Sequence, residues 1–276
     1  MKLFRTPLGT VLEVDGRTSL LSLGWDDIFR SAEPRTLLRD AMRSTTVDSS
    51  ALIEAGILAP VVSQEVWAAG VTYYRSRDAR MEESRDSGGA DFYAKVYDAE
   101  RPELFFKANG HRVVGPAGQV RVRSDSRWNV PEPELTLAVN SAGKIFGYTV
   151  GNDMSSRDIE GDNPLYLPQA KVYDGSCAIG PCIVVVDDPP RAEATIRLEI
   201  MRRGELAFGG ETTLAQLKRK PAELVSFLFR DSSFPNGVLL MTGTGIIPPH
   251  DFTLAGGDEI RIEIEGVGRL VNTVAP

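Results

Sequence analysis

Hydrophobic alternation is clearest near the end of the chain, where Ile260, Ile262 and Ile264 alternate with Arg261, Glu263 and Glu265. Successive side chains on an extended backbone point to opposite faces, so Asp258 to Glu265 predicts a half-buried strand of an antiparallel sheet. Strand-like runs punctuated by Gly and Pro begin at Trp67 and continue to the C-terminus. The first sixty residues read differently. They predict short strands around Lys2 to Phe4 and Thr10 to Val14, a turn at Asp15-Gly16, and helical segments around Pro34 to Met42. The expected organisation is a small N-terminal cap domain over 1–64 and a larger domain over 65–276.

One segment interrupts the strands. From Tyr73 to Asp86 charges of both signs crowd together, with Arg80/Glu83 and Glu82/Arg85 at helical i,i+3 spacing. Ser87-Gly88-Gly89 then breaks the chain, Asp91 can cap a second short helix, and Pro102 ends it. A polar helix-break-helix between sheet strands is either a surface excursion or a mobile lid over a site.

The stretch Pro131 to Asp153 carries the candidate chemistry. Glu132 and Glu134 are two apart, so on a strand both carboxylates share one face. Leu135, Leu137 and Val139 continue that strand, Asn140 to Lys144 supplies turn residues, and Ile145 to Val150 returns. With Val139 opposite Ile145, the register brings Val150 opposite Glu134 and Asp153 beside Glu132, to within a residue or two. An isolated Glu-x-Glu is commonly a pair of surface glutamates at a strand entrance. Three converging carboxylates, however, either raise their pKa values or hold a cation. Hard oxygen donors select Mg²⁺, Mn²⁺ or Ca²⁺ over zinc.

Composition narrows the classes. A chain of 276 residues that is 42% hydrophobic and 25% charged can bury one sizeable core, which argues against disorder. No apolar stretch is long enough to cross a bilayer, and Met1 to Val14 lacks the apolar run of a secretory signal, so a soluble, cytoplasmic protein is expected. A net charge of -7, with no clustering of basic residues, argues against a nucleic-acid partner. Cys177 and Cys182 are too few for a four-ligand zinc site and read as buried free thiols. His111 and His250 have loop-like flanks and read as surface side chains.

Downstream of the carboxylates lie Arg157 and Lys171, cations that beside a metal-bound 2-oxo acid could pair with its carboxylate or move protons. Pro131-Glu132-Pro133-Glu134-Leu135, and Phe146 to Val150 leading to Asn152-Asp153 with Arg157 beyond, resemble the core motif of the fumarylacetoacetate hydrolase superfamily. Pro102 to Lys107, Thr242-Gly243-Thr244-Gly245, and Gly257-Asp258 through Glu265 to Leu270 resemble the same superfamily in the expected order. The resemblance implies an α+β, β-rich fold, a mixed β-roll core with a small N-terminal domain, in which 65–276 is catalytic. It also implies Mg²⁺ or Mn²⁺ at the positions matching Glu132, Glu134 and Asp153, and a homodimer or homotetramer.

Lys171 matches the superfamily's active-site lysine, and Arg157 the motif arginine near the site. Ile159 to Lys171 looks most similar to the 2-keto-3-deoxy-D-arabinonate dehydratases of that superfamily. The implied reaction is metal-dependent dehydration of a 2-keto-3-deoxy sugar acid to a 2-oxo semialdehyde through a metal-stabilised enolate. Expected proton-transfer residues are Lys171, Glu103, Glu82 and Glu83; expected substrate contacts are Arg157, Tyr73, Ser76 and Thr244. One departure bears on the reaction class. Hydrolases of the superfamily usually carry Tyr-x-x-His where this chain has Tyr73 to Ser76, and Ser76 cannot activate water without a base. The alternative, hydrolysis of a C–C bond in an acylpyruvate or 2,4-dioxo acid, needs that activated water.

Overall fold

Three short strands, β1 (Lys2–Thr6), β2 (Gly9–Val14) and β3 (Arg17–Leu21), open the chain as an antiparallel meander. Asp15 and Gly16 join β2 to β3 with φ of 49° and 78°, the left-handed pair that closes a two-residue hairpin in step with strand twist. Helices α1 (Trp25–Arg30), α2 (Pro34–Arg43) and α3 (Ser50–Ala55) follow. The structure is a computed structural model that describes residues 1–43, 48–73, 97, 99–186 and 188–276. The helix-break-helix expected between Tyr73 and Pro102, with Ser76, Glu82 and Glu83, falls almost wholly outside the described residues.

The next strands are β4 (Glu65–Gly70), β5 (Glu103–Asn109), β6 (Val113–Val114), β7 (Gln119–Val120) and β8 (Asn129–Val130). Then come β9 (Pro133–Val139), β10 (Ile145–Asp153) and β11 (Ser155–Ser156), and the short helices α4 (Arg157–Asp162) and α5 (Leu167–Lys171). The rest comprises β12 (Cys177–Val185), β13 (Thr195–Arg202), β14 (Glu205–Thr213), α6 (Pro221–Leu228), β15 (Val238–Met241), β16 (Glu259–Ile264) and β17 (Gly268–Val274).

A large mixed sheet runs β3-β2-β1-β12-β10-β9-β15-β4-β5, with β6 beside β12; a second runs β14-β13-β16-β17-β7. The pairing of Lys2 with Val184 makes the N-terminal meander an extension of the large sheet. The alternating stretch at the C-terminal end is β16, with Ile262 paired to Leu198 on one side and to Leu270 on the other. One buried cluster packs Leu135, Leu137 and Val139 of β9 against Ile196, Leu198, Ile260 and Ile262 of the second sheet. Another packs the opposite face, with Ala138, Ile183 and Leu239, against Ile28, Phe29 and Leu38 of the N-terminal helices. Being covered on both faces, β9 is buried along its whole length, so polar side chains at its entrance are withdrawn from water.

Candidate metal centre

The hairpin of β9 and β10 has Val139 opposite Ile145. A bulge between Ile145 and Gly147 then advances the register by one residue, so Glu134 faces Gly151 rather than Val150. The Asp153 N–H donates to the Glu132 carbonyl at 3.0 Å, and the Glu132 N–H donates to Asn152 Oδ1 at 3.2 Å. Glu132, Glu134 and Asp153 thus lie on one face, and one oxygen from each falls within 4.8 Å of the other two. All three residues are buried. Gly151, opposite Glu134, adds no side chain to this face; a Cβ there would stand 2.3 Å from Thr136 Oγ1.

Cations converge on the same carboxylates. Lys171, the last residue of α5, places Nζ 2.7 Å from Glu132 Oε2, 2.9 Å from Asp153 Oδ2 and 2.5 Å from Ser155 Oγ. Arg157, the first residue of α4, places Nη2 2.5 Å from Glu132 Oε1 and Nε 3.7 Å from Glu160 Oε2. Glu132 is therefore gripped at both oxygens. Glu160 also stands 3.5 Å from Lys171 Nζ. From β5, Lys107 Nζ reaches Asp153 Oδ1 at 2.5 Å.

Glu134 is held by a bond of 2.6 Å from the Gly243 N–H to its Oε2. Burial, and then the charges of Asp153 and Glu132, push its carboxyl well above the usual carboxylate range, opposed by Lys171 and the Gly243 N–H. The three buried carboxylates form a hard-oxygen donor set that fits Mg²⁺ or Mn²⁺. With all four carboxylates ionised, Glu160 included, they face three cations, Lys107, Arg157 and Lys171, and one negative charge is left for a metal to overcompensate and a substrate carboxylate to restore.

The other expected residues are placed as follows. Tyr73 is fully buried, and its phenol is pushed upward by burial and by the charge of Glu134, which puts it beside the triad. Thr244 follows Gly243 and is buried, its hydroxyl bonded across a turn to the N–H of Ile246 at 3.2 Å. Glu103 opens β5, and its carboxylate lies over Gly70 at the end of β4. Ser76, Glu82 and Glu83 are outside the described residues. His111 is exposed, and His250 is exposed with its ring 5.0 Å from that of Trp128. Cys177 and Cys182 are free and buried.

Two site residues receive no role from the sequence, although Lys107 closes one of the motifs that carry the resemblance. Lys107 stands in an apolar strand, Leu104-Phe105-Phe106-Lys107-Ala108, and a charged residue in such a run was the available signal. Glu160 sits three residues after Arg157, a spacing that reads equally well as a surface helix pair.

Comparison with known proteins agrees with this geometry. The fumarylacetoacetate (FAA) hydrolase C-terminal family matches residues 79–275. A probable 2-keto-3-deoxyxylonate dehydratase of Haloferax volcanii is 46% identical over 241 residues, covering 86% of this chain and 81% of the relative. A 2-dehydro-3-deoxy-D-arabinonate dehydratase of Saccharolobus solfataricus is 41% identical over 255 residues, covering 90% of this chain and 85% of the relative. Among solved structures, 2-keto-3-deoxy-D-arabinonate dehydratase complexed with magnesium and 2,5-dioxopentanoate superposes with a TM-score of 0.83 at 35% identity, covering 100% of this chain and 99% of that one.

Proposed function

Because the chain belongs to the fumarylacetoacetate hydrolase family, we propose that it dehydrates a 2-keto-3-deoxy-pentonate to a 2-oxo semialdehyde. The single observation that carries this reading is the convergence of Glu132, Glu134 and Asp153 in a buried site with Lys171 against two of them. These three residues would hold Mg²⁺ or Mn²⁺. The chemistry that a divalent cation supplies when bound there is Lewis-acid polarisation of the substrate's 2-oxo group, which acidifies the protons on C3.

The chain's own groups do the rest. A carboxylate takes a C3 proton, the role proposed for Glu103, Glu82 or Glu83. Lys171, whose Nζ donates to Glu132, Asp153 and Ser155 and so has a fixed direction, is the group proposed to protonate the departing C4 hydroxyl, which leaves as water. Loss of the C3 proton and the C4 hydroxyl leaves a C3=C4 double bond beside the 2-oxo group; removal of a C5 proton and return of one to C3 then gives the C4=C5 enol, whose protonation at C4 yields the aldehyde at C5. Substrate contacts are proposed for Arg157, Tyr73, Ser76 and Thr244, supported by the burial of Tyr73 beside Glu134 and by the Thr242 to Gly245 loop that holds Glu134 through Gly243. Ser76, where hydrolases of the superfamily carry a histidine, favours elimination of water over its addition, because a serine cannot activate water without a base.

The chemistry is assigned to 65–276, with 1–64 as the cap, and the working form to a cytoplasmic homodimer or homotetramer. Exposed Leu165, Tyr166 and Leu206 are apolar surface that a second copy could cover. Among the described residues no helix is long and apolar enough to cross a membrane. The test is turnover of a 2-keto-3-deoxy-pentonate by chelator-treated protein before and after Mg²⁺ is returned. Activity is expected only after its return, and full activity in the metal-free preparation contradicts the reading.

A further inference from the structure

We propose that Lys107 is a positioning residue that sets Asp153 and Lys171 in one frame. A lysine is almost never fully buried without partners, and Lys107 has no exposed surface. Its ammonium donates hydrogen bonds to the Met154 carbonyl at 3.0 Å and to the Lys171 carbonyl, and stands in an ion pair 2.5 Å from Asp153 Oδ1. These oxygens belong to the end of β10, the residue after it, and the end of α5, while Lys107 itself comes from β5. One buried charge ties three elements together.

The geometry makes that tie consequential for the site. With Asp153 Oδ1 held by Lys107, Oδ2 is the oxygen turned to Lys171 Nζ at 2.9 Å. The main chain of Lys171 is anchored by the same Lys107 ammonium and by a bond of 2.9 Å from Ser176 Oγ to its carbonyl. The Lys171 side chain therefore starts from a fixed point and ends on the carboxylate that Lys107 orients. Groups that orient ligating carboxylates in this way typically contribute about 10–100-fold to metal affinity or activity.

The inference rests on the metal reading of the triad, and the test separates the two. Lys107→Gln and Lys107→Met are compared with the wild type for folding by circular dichroism, for Mn²⁺ affinity by calorimetric titration without substrate, and for kcat and KM at saturating Mn²⁺. A folded variant is expected to bind Mn²⁺ about 10–100-fold more weakly. Its kcat should stay about tenfold or more below wild type even when the metal saturates, because Lys171 is displaced, while KM changes far less. A folded variant with wild-type Mn²⁺ affinity and kcat would overturn the inference alone; a wild type that binds no Mn²⁺ would overturn it together with the metal reading. Should neither variant fold, the ¹⁵N resonance of the Lys107 ammonium in the wild type, assigned through its side-chain carbons, must shift on Mg²⁺ titration with the midpoint of the calorimetric curve. A resonance that does not move overturns the inference.

Discussion

Placing Glu134 beside two other buried carboxylates makes proton and metal competitors for one site. Its carboxyl titrates above the ordinary carboxylate range, so in the metal-free fold the protonated form is favoured. The sign follows: this group's contribution to stability is present below the ordinary carboxylate pKa and is lost as pH rises through the raised value. Metal must displace that proton, so Mn²⁺ affinity should climb as pH rises through the raised value, with protons released on binding. Calorimetry in buffers of different ionisation enthalpy measures that release, and a pH-independent affinity without it would contradict the account. Glu134→Gln removes an anionic ligand and should weaken Mn²⁺ binding at every pH. Lys171→Met should bind metal and fold yet lose roughly 10²-fold in kcat, the size of a lost acid or base; steady-state kinetics at saturating Mg²⁺ decide this, and wild-type turnover would move the role elsewhere.

At the scale of elements, the loop after β15 matters as much as the strands. Gly243 has a φ of 89°, and a Cβ there would stand 2.0 Å from Thr72 Oγ1. Gly243→Ala should therefore cost on the order of 1–2 kcal/mol in backbone strain alone. It should also shift the N–H that holds Glu134, lowering both the melting temperature and the Mn²⁺ affinity; an unchanged affinity would argue that this bond is dispensable.

The β9–β10 hairpin was legible because the alternation of Leu135, Leu137 and Val139 and the turn at Asn140 to Lys144 are local signals. Its bulge was not, since the extra residue, Phe146, looks like any strand residue, and it set Asp153 directly against Glu132. Lys107 and the pairing of β1 with β12 were hidden for another reason. Their partners lie 46 and about 180 positions away, and no periodicity encodes such distances.

For the molecule as a whole, the site stands at the end of a hairpin covered on both faces, so binding there draws on the whole fold. Mg²⁺ at about 100 times its Kd should stabilise the folded state by about 2.7 kcal/mol, a rise of roughly 5–10 °C in melting temperature that chelator reverses. Thermal melts with and without Mg²⁺ check this, and coincident curves would mean the carboxylates hold no metal. The site is built for elimination of water rather than its addition. The most direct measurement offers the purified protein with Mg²⁺ a 2-keto-3-deoxy-pentonate and, in parallel, an acylpyruvate, and follows both by proton NMR. The semialdehyde is expected from the first and no pyruvate from the second; efficient pyruvate release with no semialdehyde would mean that the enzyme is a hydrolase.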